Sequence, residues 1–241
     1  MGEAALLLLL AVAVGVAAIA WSLRRGVTLD VGGTSWLLAA IAVVALAVLG
    51  PLDGLAHRWL WCHMVQHLVL VSVAAPLLAL ARLPRVATLE RWRSRAGPHD
   101  GAARDDLPLA AVTAVGVLFL WHAPVLYDAA LRHAPLHAAE HLTLVASAAW
   151  LWRRLLEPRH GGVSVLCLFL VMLPMTAFGV AMTFARTPWY PPYAHGSAAA
   201  ALRDQQLAGV VMWSFGGLAA TVAAVTMFAA WLVQADVGGV T

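Results

Sequence analysis

Residues 163–185, VSVLCLFLVMLPMTAFGVAMTFA, form an apolar run without a charged side chain. A run of about 20 such residues matches the ~30 Å hydrocarbon core of a bilayer, and in lipid it must be helical because its backbone has to satisfy its own hydrogen bonds. Six further apolar runs occur at residues 4–22, 34–51, 61–81, 108–122, 136–152 and 205–233. The sequence therefore predicts an all-α, polytopic membrane protein with seven transmembrane helices.

The composition of the whole chain agrees with this interpretation. Of 241 residues, 62% are hydrophobic and 11% are charged, and the mean hydropathy is +0.83. Soluble domains contain roughly 25% charged residues, so a soluble domain, a disordered chain and a nucleic-acid-binding module are excluded. With no internal repeat and no soluble second domain, residues 1–241 are predicted to form a single integral membrane domain.

The arginines predict the orientation of that domain. All 15 basic residues are Arg, and the sequence contains no Lys. With the N-terminus outside and the C-terminus inside, 11 Arg fall in inner loops, above all in the basic loop 82–107, and 4 fall outside. Inner loops of membrane proteins carry the excess of positive charge, so this orientation is predicted. The excess of basic residues is thereby explained without a nucleic-acid partner. Arg24 and Arg25 follow the first apolar run, which favours a spanning helix over a cleavable signal.

The histidines are concentrated on the predicted outer side, which contains eight of the ten. His63 and His67 are four residues apart on the third predicted helix, and His137 and His141 are four apart on the fifth. Residues at this spacing share a helix face, about 5–6 Å apart, and can present two imidazole nitrogens to one metal ion. His122 ends the fourth predicted helix at the same depth. These five histidines form the predicted metal site.

Three of the eight outer histidines are not included in this site: His57, His133 and His195. His57 and His133 are interpreted as solvated loop residues.

The residue types leave the metal open between copper and zinc. Imidazole suits Zn, Cu, Fe and Ni, and thioether or thiolate ligands shift the preference towards Cu(I). Met64 and Cys62 are the possible additional ligands. The stretch from His137 to His141 also reads H-x-x-E-H, the zinc-peptidase pattern. No convincing further acidic ligand accompanies it, so we expect the protein not to be an enzyme.

Several stretches, in one order and spacing over most of the chain from residue 59 to residue 231, resemble one family. They are His63-Met64-Val65-Gln66-His67-Leu68; Trp121-His122-Ala123-Pro124-Val125-Leu126-Tyr127-Asp128-Ala129-Ala130-Leu131; Leu136-His137 with Glu140-His141; Gly179, Thr183 and Phe184; Tyr190-Pro191; and Asp204-Gln205-Gln206-Leu207-Ala208-Gly209 with Met212-Trp213. This pattern is similar to the CtaG family of cytochrome c oxidase assembly factors of bacterial inner membranes. The chain departs from it at Ser214-Phe215-Gly216-Gly217, where a proline is expected before the glycine and a glycine hinge can replace the kink.

The resemblance implies a copper chaperone that delivers copper, as Cu(I), to subunits of a haem–copper oxidase. It implies that the five histidines hold the metal, supported by other polar residues: Gln66, Tyr127, Asp128, Glu140, Asp204, Gln205 and Gln206. For Asp204, capping of the last helix is an equal alternative. A metal-free scaffold for oxidase subunits and a copper transporter are the alternative functions.

Overall fold

The computed structural model describes residues 31–81, 106–157, 160–193 and 196–238, which are helical throughout with short connections and contain no β-strand. The helices are α1 (Val31–Leu49), α2 (Pro51–Ala56), α3 (Leu60–Val69), α4 (Ala75–Leu80), α5 (Leu107–His122), α6 (Pro124–Arg132), α7 (Ala134–Leu155), α8 (Gly161–Thr183) and α9 (Ala198–Gly238). The all-α prediction is confirmed for this part of the chain. The predicted first span, 4–22, and residues 82–105 of the basic loop lie outside it.

Four stretches of helix are long and apolar enough to cross a membrane: Gly32–Leu49, Leu60–Leu80, Gly161–Thr183 and Ala198–Val233. A fifth is obtained if the bent pair α5 and α6 counts as one span. Helix α7 covers the predicted span 136–152 and has the length of a span, but its charged and imidazole side chains lower its hydropathy below that of the other four. Seven spans and the N-out orientation therefore stay predictions.

Prolines account for two interruptions of regular α-helix. Pro124 disfavours helical geometry at Ala123, which is extended (φ −63°, ψ 125°), and α5 and α6 meet there at a bend of 71°. Between α3 and α4 the chain forms a π-helical turn, Leu70–Ala74, directly before Pro76, which has no N–H to donate to the preceding turn. Tyr127, which lies on α6 just after the bend, is buried.

Helices α8 and α9 pack closely along their length, with Gly179 facing Gly209 at the point of closest approach. Small residues allow two helix backbones to come this near in a membrane protein. Helix α9 also packs against α3. It is continuous through Ser214–Gly217, so the predicted replacement of a proline kink by a glycine hinge produces no break in the helix.

Candidate metal centre

The structure brings the five predicted histidines together at one end of the bundle. Helix α3 provides His63 and, in its last turn, His67; the last residue of α5 is His122; and the first half of α7 provides His137 and His141. All are buried except His141, which is half-buried. We call these five residues the histidine cluster.

The spacing between rings agrees with the helical pairs that the sequence predicts. The ring centroids of His63 and His67 are 4.3 Å apart, and those of His137 and His141 are 4.4 Å apart. Across the helices, His63 lies 5.5 Å from His137, and His67 lies 5.4 Å from His141 and 5.8 Å from His122. The two pairs therefore face each other, with His122 at the side of His67.

The candidate ligand atoms form two overlapping groups of three. One consists of His63, His67 and His141, and the other of His63, His137 and Glu140; within each group the ligand atoms lie within 4.8 Å of one another. Glu140 is 1% exposed, and its Oε1 lies 3.5 Å from Nε2 of His67. The predicted metal site therefore consists of two three-residue groups that share His63.

The tautomer of His63 follows from its contact with Tyr193, which lies in the connection between α8 and α9. Burial raises the pKa of Tyr193, so its hydroxyl stays protonated, and it donates to the carbonyl of Ala56 at 2.9 Å. The same hydroxyl oxygen lies 3.0 Å from Nδ1 of His63. Since its own proton is given to Ala56, it accepts from the Nδ1–H of His63. The lone pair of His63 is therefore on Nε2, which faces Nε2 of His67 at 2.8 Å.

His122 is oriented in the same way by its own helix. Its Nδ1–H donates to the carbonyl of Leu118 at 2.8 Å, which leaves the lone pair on Nε2. A hydrogen bond from the second ring nitrogen is the usual way in which proteins orient a metal-binding histidine.

Many buried polar atoms of this region have no hydrogen-bond partner among the described residues. They are Nδ1 of His67, Nε2 of His122, His137 and His141, and both carboxylate oxygens of Glu140. An unpartnered buried polar group costs about 1–3 kcal/mol, so such a concentration is unusual in a site with only a structural role. These nitrogens and oxygens are the atoms that a metal ion takes as ligands. The residues therefore fit a metal ion.

Of three predicted supporting residues, Tyr127 contacts the cluster, and Gln66 and Asp128 bond to groups outside it. The ring of Tyr127 packs 5.1 Å from that of His63. Gln66 is fully buried and donates from Nε2 to the carbonyl of Ala47 and to Oδ1 of Asp53. Asp128 instead forms an ion pair with Arg132 on its own helix.

The predicted polar residues at the start of α9 hold neighbouring segments in place. Asp204 accepts hydrogen bonds from the backbone N–H groups of Leu60 (2.8 Å) and Trp61 (3.3 Å). It therefore caps α3, which carries His63 and His67; the alternative that it caps the last helix is wrong, because α9 begins at Ala198. The side chains of Gln205 and Gln206 bond the backbone of Trp189, Thr187 and Ala185.

The two possible sulfur ligands, Met64 and Cys62, are both buried, but they lie in different surroundings. Met64 packs in an apolar cluster with Leu60, Tyr127 and Met182. Cys62 is a free thiol and belongs to neither group of candidate ligands among the described residues.

The sequence interpretation missed the contributions of His57 and Tyr193. His57 follows α2, and its ring lies 5.3 Å from that of His137 in an edge-on contact. It has no partner at helical spacing, so no periodicity could associate it with the cluster. Tyr193 is 130 residues from His63 in the chain, and only the Tyr190-Pro191 motif close to it drew attention to this connection.

A comparison with known protein families identifies a match over nearly the whole chain. The family model described as cytochrome c oxidase caa3 assembly factor (Caa3_CtaG) matches residues 8–234. No curated protein and no solved structure matches the chain. The matched residues include all of the histidine cluster and the α9 residues that hold it in place. The protein belongs to the family of cytochrome c oxidase caa3 assembly factors.

Proposed function

We propose that this assembly factor is a copper chaperone, which binds Cu(I) through its histidine cluster and delivers it to a subunit of a haem–copper oxidase. One observation supports this above all others. Five histidines from three helices converge in a buried site, and several of their ring nitrogens have no protein partner. A surface that only docked oxidase subunits would have no need of unpartnered nitrogens inside the bundle.

The charge of the site favours a monovalent ion. Glu140 is the one carboxylate in the two groups of candidate ligands, and neutral imidazoles contribute no charge. With ionised Glu140, Cu(I) makes the site neutral, whereas a divalent ion leaves a net positive charge in a buried, low-dielectric environment, which is costly. Cu(I) is therefore the proposed cargo and Zn(II) the competing ion.

A site of two or three imidazoles suits delivery better than permanent storage. A new ligand from the acceptor can bind before the last donor ligand leaves, so the ion is never free. In this proposal the protein changes no covalent bond and acts without catalysis. The histidine-bearing end of the bundle faces the outer side of a bacterial inner membrane, where it meets its oxidase client.

Titration of the purified protein with Cu(I) tests the proposal. Cu(I) is presented as a complex with a chromophoric chelator, and bound metal is measured by competition. We expect one Cu(I) per chain, nitrogen and oxygen ligands in X-ray absorption spectra, and transfer to the copper-free oxidase subunit. Binding should weaken at acid pH, because protons compete for the imidazoles. A chain that binds no Cu(I) yet still supports oxidase assembly would establish the metal-free scaffold instead.

The substitution Tyr193→Phe tests whether the orientation of His63 contributes to binding. It removes the acceptor of the Nδ1–H of His63 and the hydrogen bond to Ala56. Loss of such a partner typically costs 10–100-fold in metal affinity, so we expect Cu(I) to bind roughly 10-fold more weakly. The measurement is the same chelator competition.

Tyr190→Phe is the matched control for this substitution. The hydroxyl of Tyr190 donates to the backbone carbonyl of His122 and contacts no ring nitrogen. We expect its loss to change Cu(I) affinity much less. Equal effects of the two substitutions would show that Tyr193 acts only through the packing of its loop.

A further inference from the structure

We propose that His57 is the exchange ligand of the site, through which Cu(I) passes between the protein surface and the buried groups of ligands. The inference rests on the proposed function, since it assigns a route to the same ion. It goes beyond that function because it adds a sixth histidine to the site. It also states the order in which Cu(I) occupies the two groups of candidate ligands.

Five of the six rings form a continuous path from the surface into the bundle. His57 is exposed, and its ring lies 5.3 Å from His137, which is 4% exposed. From His137 the path continues to His63 at 5.5 Å, from His63 to His67 at 4.3 Å, and from His67 to His122 at 5.8 Å. With metal–nitrogen bonds of ~2.0–2.1 Å, two rings that share an ion have centroids up to about 6.4 Å apart. Each neighbouring pair on the path is within that limit.

The two groups of candidate ligands are successive positions of one ion. Both groups need His63, and Nδ1 of that ring is bonded to Tyr193, so only Nε2 can coordinate. A single lone pair binds a single ion, and the groups cannot be filled together through His63. The group with His137 and Glu140 lies next to exposed His57, which makes it the first position. The group with His67 and His141 lies next to His122 and is the second position.

The tautomer of His57 suits it to exchange. Its Nδ1 lies 2.8 Å from the backbone carbonyl of Asp53, an obligatory acceptor, so Nδ1 carries the proton and Nε2 the lone pair. During loading, a bond forms between Cu(I) and Nε2 of His57 as the bond from Cu(I) to the delivering ligand breaks. The ion then forms a bond to His137 and leaves His57. No electron is transferred and no proton has to leave the ring.

Kinetics of the variant His57→Ala test this role in the full-length protein. Loaded protein is mixed with excess chromophoric Cu(I) chelator, and release is followed by stopped-flow absorbance. We expect release at least about 10-fold slower than in the wild type, with one Cu(I) per chain and a Kd within about threefold. His133→Ala is the matched control, because His133 is also an exposed histidine beside a helix start; its rate should equal that of the wild type. His57→Met should recover much of the rate, since a thioether is also a Cu(I) ligand.

The possible results separate this role from the proposed function. If the wild type binds Cu(I) and His57→Ala releases it at an unchanged or higher rate, the role of His57 is refuted and the chaperone proposal stands. If His57→Ala weakens equilibrium binding as much as loss of a buried ligand, His57 is a permanent ligand and the exchange role is likewise refuted. A wild type that binds no Cu(I) overturns the proposed function itself.

Discussion

Replacement of His63 by alanine is expected to lower the affinity for Cu(I) at least about 100-fold, equivalent to about 2.8 kcal/mol. The reason is that His63 is the residue common to both groups of candidate ligands, so neither group keeps three members without it. Additional replacement of His137 leaves two members in one group and only Glu140 in the other, and the double variant should bind no Cu(I) at micromolar concentration. Affinity is measured by competition with a chromophoric chelator of known strength.

The control for this prediction has to separate lost ligation from lost folding. His133→Ala removes an exposed histidine at the same end of α7 and should leave the Kd unchanged. Thermal unfolding of the metal-free proteins, followed by Trp fluorescence in detergent, shows whether His63→Ala is still folded. Added Cu(I) should raise the melting temperature of the wild type and not that of the double variant. A folded double variant that retains the wild-type affinity would place the metal site elsewhere.

The second large effect is expected from Gly209→Ala. This substitution should lower the free energy of unfolding by about 2 kcal/mol or more, as is typical when an extra methyl group is forced into a packed contact. A Cβ atom on Gly209 would lie 2.6 Å from the backbone oxygen of Gly179 and equally close to the backbone nitrogen of Thr183. These are backbone atoms of α8, so the helices have to separate. Because α9 also holds Asp204 at the start of α3, the separation should weaken the metal site as well.

Gly217→Ala provides the matched control on the same helix. A Cβ atom there meets nothing within 4 Å, so the substitution is free of steric conflict. Alanine has a higher helix propensity than glycine, by roughly 0.5–1 kcal/mol, so this variant should be as stable as the wild type or slightly more so. Both variants are compared by thermal unfolding in the same detergent. Equal melting temperatures would show that α8 and α9 can adjust to a methyl group at their contact.

Local patterns in the sequence were sufficient for several of the helices and for the histidines that the structure brings together. The apolar run at 163–185 corresponds to α8 (Gly161–Thr183), and that at 61–81 to the helical stretch Leu60–Leu80. The i, i+4 spacing of His63 with His67 placed the two rings in contact, as expected. Both results depend on backbone periodicity within one helix, and this periodicity is visible in the order of residues.

Contacts between distant segments could not be predicted in this way. Asp204 shows the difference most clearly, since its carboxylate bonds N–H groups 143 and 144 residues away rather than those of its own helix. The bend at Ala123 was likewise not recognised as the feature that lays Tyr127 over His63. Such contacts depend on how whole helices pack against one another. The spacing of residues along the chain contains no information about this packing.

The sequence by itself therefore determined a helical membrane protein of a recognisable family and the five histidines of its candidate site. Only the tertiary structure decided how these residues are used. It divided the site into two groups that share His63, oriented that ring through Tyr193, and added exposed His57 beside His137. The physical reason is that residue type and helical periodicity are local properties of the chain. Ring tautomers and ligand distances instead arise from contacts between helices that are remote in sequence.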